Sequence, residues 1–444
     1  MIEKGGREAG GKTYFEFAIP FDSRPGRQAA RCRAVVSRAG RVPSNEGGLR
    51  RAAQREGLSH AHSRPGAAGA GVPTAQGGGM GKTWQRPLAL GAVLVCIVVS
   101  CGGLGQSATT IPNDVKESIR ARVDGGRNMG IVLGVVSESG VEFYSYGYLS
   151  ESRTQSMDEN TLFEIGSVGK TFTGVLLAEA ALSGEVRLDD PIRQYLPDTV
   201  RVPSWLGKEI TLLHLATHTS GLPALPENLA PADEMNPYAD YTAAQLYEFL
   251  SGYSLADLGT RYRYSNLGFG LLGHILALRA GTTFEQLLAA RLTAPLGMTS
   301  TVMIPTEDMA GRLATGYREG VVFPRWDNPT LAGAGGEVST AKDLAAYVAA
   351  NLDLVDTSLA ESLAMSHQLR FAKGETRVAM GWQLLWLPAG TVVEHHGATG
   401  GTWSYVGFIK EKKLGVVVLT NTYENVDDLG RHILEPSYAL TVKP

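Results

Sequence analysis

Ser167 and Lys170 stand three residues apart in Phe163-Glu164-Ile165-Gly166-Ser167-Val168-Gly169-Lys170-Thr171-Phe172, just where an apolar helical pattern begins. On a helix that spacing puts both side chains on one face, close enough for an amine to act on a hydroxyl. A serine hydroxyl is a poor nucleophile at neutral pH unless a nearby group accepts its proton. The pair alone is weak, since on the order of one Ser-x-x-Lys arises by chance in a chain of this length. Serine before a helix is also commonly just an N-cap. Its meaning depends on its company.

Two downstream segments supply that company. Arg261-Tyr262-Arg263-Tyr264-Ser265-Asn266 precedes a helical pattern, which places Tyr264 and Asn266 on a loop at a helix N-terminus. Glu394-His395-His396-Gly397-Ala398-Thr399-Gly400-Gly401 ends one strand-like run and leads into another. The bland alternatives are a packed aromatic for Tyr264 and a cap for Asn266. Thr217-His218-Thr219-Ser220-Gly221 offers His and Ser together, but reads as a structural turn near the site and not as a triad. His214 and His218 lie four apart with no third ligand and no His-Glu-x-x-His pattern, so no metal or other cofactor is expected.

Taken in order, these segments resemble the three motifs of serine β-lactamases and penicillin-binding proteins, and most of all the class C-like serine hydrolases. The likeness covers nearly all of residues 113–435 and extends to Gly184-Glu185-Val186-Arg187-Leu188-Asp189-Asp190-Pro191-Ile192, Pro295-Leu296-Gly297-Met298-Thr299 and Gly335-Gly336-Glu337-Val338-Ser339-Thr340-Ala341-Lys342-Asp343-Leu344. The resemblance implies that Ser167 forms an acyl-enzyme, and that Lys170 and Tyr264 share the proton work: a phenolate or a neutral amine takes the Ser167 proton and then returns one to the leaving group. A tyrosine of ordinary pKa near 10 serves as a base only if a cation such as Lys170 stabilises its anion. Asn266 would hydrogen-bond the substrate amide and Lys170, and the backbone N–H groups of Ser167 and Ala398 would form the oxyanion hole. His395, His396 and Gly397 fall where class C β-lactamases carry Lys-Thr-Gly, whose lysine helps bind the antibiotic's carboxylate. Histidine is only partly charged near neutrality, so the departure weakens carboxylate recognition and leaves the acylation machinery intact.

These residues need a scaffold. The pattern predicts a helix from Pro112-Asn113-Asp114 to about Asp124, then strands at Ile131–Ser137 and Val141–Tyr148 joined by a hairpin at Glu138-Ser139-Gly140. Further strands are expected at Val392–His395, Thr402–Ile409 and Leu414–Leu419, with a last helix over Val426–Leu434. Between them lie helices after Ser167 (stopping at Ser183-Gly184), after Asn266 (stopping at Gly281) and over Ala341–Asn351. Strands at both ends with helices between imply an α+β fold: an antiparallel sheet formed by N- and C-terminal strands flanked by helices, plus a mainly helical insertion lobe. Residues 113–444 read as one hydrolase domain.

The remainder of the chain speaks to location. Residues 1–79 are rich in Gly, Ala, Arg and Pro without apolar period, and read as a disordered or non-native upstream extension, with translation expected to start at Met80. Residues 80–108 read as an export signal: Lys82 and Arg86, then an apolar run from Leu88 to Val99 too short to span a bilayer. Val98-Val99-Ser100-Cys101 resembles a bacterial lipobox, making Cys101 a lipidation site; ordinary cleavage near Ser107 or Ala108 is the alternative. All three cysteines (Cys32, Cys96 and Cys101) lie in or before this segment, so the mature domain has neither disulfide nor thiol nucleophile. A formal net charge of −3 among 444 residues gives no nucleic-acid footprint. The expected protein is an exported serine hydrolase cleaving an amide or ester of a small molecule or peptide, with a penicillin-binding sensor or a non-catalytic scaffold of the same fold as alternatives. Membrane attachment is expected only through a lipid on Cys101.

Overall fold

The computed structural model describes residues 12–18, 31–37 and 111–443. Lys12–Ala18 and Arg31–Ser37 pair antiparallel as a two-stranded ladder, where the reading of residues 1–79 expected no structure. Thr13, Tyr14, Phe15 and Phe17 are β-branched or aromatic residues, the types that favour strands. Cys101 and the rest of the 80–108 segment lie outside the described residues.

The main body is organised by one sheet. Its strands are β1 (Gly130–Ser137), β2 (Gly140–Gly147), then β5 (Phe371–Lys373), β6 (Thr376–Val378), β7 (Gln383–Leu387), β8 (Gly390–Ala398), β9 (Trp403–Ile409) and β10 (Leu414–Thr420). Two short strands outside it are β3 (Leu162–Glu164) and β4 (Val338–Thr340), which pair with each other. The eight-stranded order is β5-β6-β7-β8-β9-β10-β1-β2. The chain ends meet where β10 runs antiparallel to β1, with Gly415 opposite Val136 and Thr420 opposite Ile131. Strands β5 to β7 were absent from the sequence expectation, because short runs interrupted by Gly374 and Gly381 carry little alternation.

Period-two alternation divides the sheet between two cores. Ile131, Leu133 and Val135 of β1 pack with Val416 and Val418 of β10 against α1 (Asn113–Asp124) and the last helix (Asp427–Leu434). Val132, Val136, Val417 and Leu419 face the other way, towards the helical lobe. That lobe contains α2 (Gly169–Leu182), α3 (Leu212–Ala216), α4 (Ala243–Gly252), α5 (Asn266–Ala280) and α6 (Ala341–Asn351), and the last helix is α7. With both faces covered, the strands are apolar on both sides. Helix α5 is apolar almost all round because it lies inside the lobe.

Helix α1 buries Val115, Ser118, Ile119 and Arg122 on one stripe. Arg122 is fully buried, pairs with Asp428 of α7 at 2.6 Å and donates to Thr441 Oγ1 at 2.7 Å. Removing one partner strands the other charge in the core, so Arg122→Met is expected to cost about 3–5 kcal/mol. A urea midpoint that does not fall in that variant would refute the assignment.

Candidate active site

Sheet pairing outside the main sheet sets up the turn that carries Ser167. β3 runs antiparallel to β4 with Glu164 opposite Val338, and Ile165 N donates to Glu337 O at 3.0 Å. The chain then turns sharply at Gly166, whose φ is 48°, and the short turn Gly166–Val168 feeds directly into α2. Ser167 is thus presented, half-buried, at the entrance to a helix whose first turn carries Lys170.

Lys170 is fully buried, and its Nζ donates to Ser167 Oγ at 2.9 Å and to Ala334 O at 2.5 Å. Tyr264 OH donates to the same Ser167 Oγ at 2.7 Å. The Tyr264 ring also lies under the amine, 5.0 Å from Nζ to centroid. Burial lowers the Lys170 amine from its ordinary 10.5 to about 7, against the opposing charge of Glu337. Burial pushes the Tyr264 phenol up, and the hydrogen bond with Ser167 only partly offsets it. The environment therefore favours a neutral phenol and a readily deprotonated amine, not the lysine-stabilised phenolate considered from the sequence.

Asn266 opens α5, but the helix is capped by Ser265, whose Oγ accepts from Gly268 N at 2.8 Å. The Asn266 Oδ1 is buried without a hydrogen-bond partner, so the expected bond to Lys170 is not formed. A buried amide oxygen left unsatisfied suits a substrate N–H. The end of β8 closes the opposite side. A Cβ on Gly397 would lie 2.0 Å from Ile165 O and 2.7 Å from Ser167 N, and one on Gly166 would lie 2.8 Å from Ala398 N. Only glycine allows so close an approach, which brings the Ala398 and Ser167 backbones together.

Strand alternation splits the two histidines. Val393 and His395 face the helical lobe, and the His395 ring lies 6.4 Å from that of Tyr264. Burial, then the charges of His396 and Lys170, hold His395 well below its ordinary value. Its Nδ1 donates to His396 O at 2.6 Å. The ring is therefore neutral. His396 points to the other face, stacks 5.6 Å from Trp403 and meets Asp427 of α7 at 3.2 Å. Burial alone would lower it, but Asp427 outweighs that and raises it. His396, which the sequence places beside His395 in the third motif as a proposed substrate-binding residue, therefore turns away from the lobe, because a side chain next to a lobe-facing residue on a strand must face the terminal helices.

His214 and His218 are both committed elsewhere. His214 belongs to a capping pair with Thr211 at the start of α3. His218 Nδ1 accepts from Ser265 N at 3.0 Å, and its ring lies 4.4 Å from that of Tyr264. The Thr217–Gly221 segment is a structural turn supporting the tyrosine. Among the described residues no group of three or more His, Cys, Asp or Glu side chains could hold a metal.

The β-lactamase family model matches residues 115–438 of the chain. The chain belongs to the β-lactamase family. It is 31% identical over 361 residues to a β-lactamase of Escherichia coli K12, covering 73% of this chain and 92% of the relative. It is 30% identical over 322 residues to the D-alanyl-D-alanine-carboxypeptidase/endopeptidase AmpH of the same organism, covering 67% of this chain and 82% of that protein. Among solved structures, a class C β-lactamase from Rhodobacter sphaeroides aligns with a TM-score of 0.64 at 26% identity, over 73% of this chain and 97% of that one. A β-lactamase/D-alanine carboxypeptidase from Pseudomonas syringae aligns with a TM-score of 0.65 at 25% identity, over 73% and 98%. This member of the β-lactamase family is a class C-like serine hydrolase with the antiparallel sheet and helical lobe of its relatives.

The residue that sequence reasoning passed over is Glu337. Along the chain it stands only as part of the Gly335–Leu344 likeness, and nothing local marks a glutamate as buried against α2.

Proposed function

We propose that this protein is an exported serine hydrolase that cleaves an amide or ester through an acyl-enzyme on Ser167. The observation that carries the reading is the double hydrogen bond on one oxygen, from Lys170 at 2.9 Å and Tyr264 at 2.7 Å. With Lys170 as the free amine, its lone pair takes the Ser167 proton as Oγ bonds to the carbonyl carbon. Ser167 N–H and Ala398 N–H hold the oxyanion. Collapse expels the leaving group, which takes the proton relayed from Lys170 through the Tyr264 hydroxyl. Water then attacks the acyl carbon, and the same pair accepts its proton and returns one to Ser167. Asn266 holds the substrate amide. The signal-like residues 80–108 support export, and Cys101 is the proposed lipid attachment point.

The substrate is a small molecule or peptide: a β-lactam, a D-amino-acid peptide or a small ester. A neutral His395 offers no cation to a carboxylate, which favours uncharged esters and amides over carboxylate-bearing β-lactams. The test is to incubate mature protein with nitrocefin, a p-nitrophenyl ester and D-Ala peptides beside Ser167→Ala. Turnover lost in the variant supports the hydrolase. A burst without turnover would indicate a sensor, and no adduct with any substrate or fluorophosphonate would indicate a scaffold.

His395→Lys restores a cation at this position. A hydrogen bond to a charged group is worth about 1.5–3 kcal/mol. The ratio of kcat/KM for nitrocefin over the ester should therefore rise about tenfold or more. An unchanged ratio would remove His395 from substrate selection.

A further inference from the structure

We propose that Glu337 is the buried counter-charge that sets the protonation state of Lys170, making it a positioning residue for activation of Ser167. The inference rests on the reading that Lys170 activates Ser167.

The carboxylate is built into the floor of the site. Glu337 is fully buried, immediately before β4. Its side chain packs onto the residue before Lys170: a Cβ on Gly169 would lie 2.1 Å from Oε2 and 2.9 Å from Oε1. Glycine at 169 thus leaves room for a carboxylate at the start of α2, where the helix dipole favours negative charge. Gly336 N donates to Oε2 at 2.9 Å, while Oε1 is buried with no hydrogen-bond partner. An acid oxygen kept dry and unsatisfied costs free energy unless a nearby positive charge offsets it. Strand pairing does not require it, because the contact with Ile165 uses the Glu337 backbone carbonyl.

The positive charge is Lys170. Its Nζ is spent on Ser167 Oγ and Ala334 O, so Glu337 acts on it through space and not by direct pairing. Three other titratable groups face the amine: His218 from the turn after α3, Tyr264 from the loop before α5, and His395 from β8. Burial holds both histidines neutral and the phenol protonated. Among the described residues the anionic partner of Lys170 is therefore Glu337. Burial favours the free amine and Glu337 favours ammonium, and the balance falls at about 7. The Glu337 carboxyl is itself raised to about 7 by burial, against Gly336 N–H, its own N–H and Lys170. Each group's charge shifts the other's affinity for a proton, and groups that interact by more than about one pKa unit titrate as a unit. One proton can then sit on Glu337 while Lys170 is left as the base.

The competing role is structural, with Glu337 merely holding the Gly335–Gly336 turn. Glu337→Gln separates the two, since its amide oxygen still accepts from Gly336 N while the charge is gone. The readout is the rate of fluorophosphonate labelling of Ser167 against pH in the mature protein. Losing the anion lowers the affinity of Lys170 for its proton, so the acid limb should move down by about one pH unit or more, tenfold in proton affinity. A folded variant with the limb in place would overturn the proposal. Gly169→Ala, which pushes the carboxylate away from α2, should shift the limb in the same direction, and no shift would count equally against it. If neither variant folds, wild-type protein with 13C-labelled Lys Cε and Glu Cδ decides. Matching two-step titrations of Lys170 and Glu337 are expected, and independent single steps would overturn the coupling. Should Ser167 fail to label at any pH, the hydrolase reading fails, yet these resonances still report on the pair.

Discussion

Ser167→Ala removes turnover of every substrate, with kcat falling on the order of 10^6-fold, as when the nucleophile of a coupled catalytic unit is deleted. The size follows from geometry. Both proton-handling groups converge on this single oxygen, so its loss idles Lys170 and Tyr264 together. Residues 111–443 contain no cysteine, and the neighbouring Ser404 hydroxyl is fully buried and donates to Ile165 O at 2.7 Å. Ser167 is only half-buried, so the variant should unfold at nearly the wild-type temperature. Intact mass after fluorophosphonate treatment should show an adduct on wild type and none on the variant. Retained turnover in folded Ser167→Ala would move the nucleophile elsewhere.

Lys170→Met has the second largest effect, about 10^2–10^4-fold in kcat/KM, the usual contribution of a general base. Wild-type activity should fall as pH drops through about 7, because the amine takes up a proton there and can no longer accept one from Ser167. The methionine variant should lose that limb along with the rate; a limb that persists unchanged would assign the base to another group. Stability gives an independent check. The folded amine binds its proton more weakly than the unfolded 10.5. The unfolded state therefore holds more protons between about 7 and 10.5, and stability rises with pH across that window. Methionine has no such proton, so this part of the pH dependence should vanish.

Tyr264 then has a narrower role than a phenolate base. Its hydroxyl stays protonated and donates to Ser167, so Tyr264→Phe should slow expulsion of the leaving group more than it shifts the acid limb. The double variant with Lys170→Met should lose less than the sum of the two, since both act on one oxygen.

Much of this was legible along the chain because the signals are local. Helix α6 spans Ala341–Asn351 as its pattern reads, and Gly281 ends α5 in the left-handed conformation the glycine permits. The hydrophobic runs of β1, β9 and β10 announce strands because each is buried on both faces, and a chain with strands at its ends and helices between has few other ways to cover them. The proposed site residues Ser167, Lys170, Tyr264 and Asn266 likewise stand in short segments in a fixed order. Charge state does not, because it depends on what packs around a group from distant parts of the chain. His395 and His396 are adjacent and chemically alike, yet the pleat sends one into the lobe, where burial keeps it neutral, and the other to Asp427, which raises it. The affinity of Lys170 for its proton, and Glu337 as the anion that tempers it, exist only once β4 is laid beside β3 and a glycine lets the carboxylate reach α2.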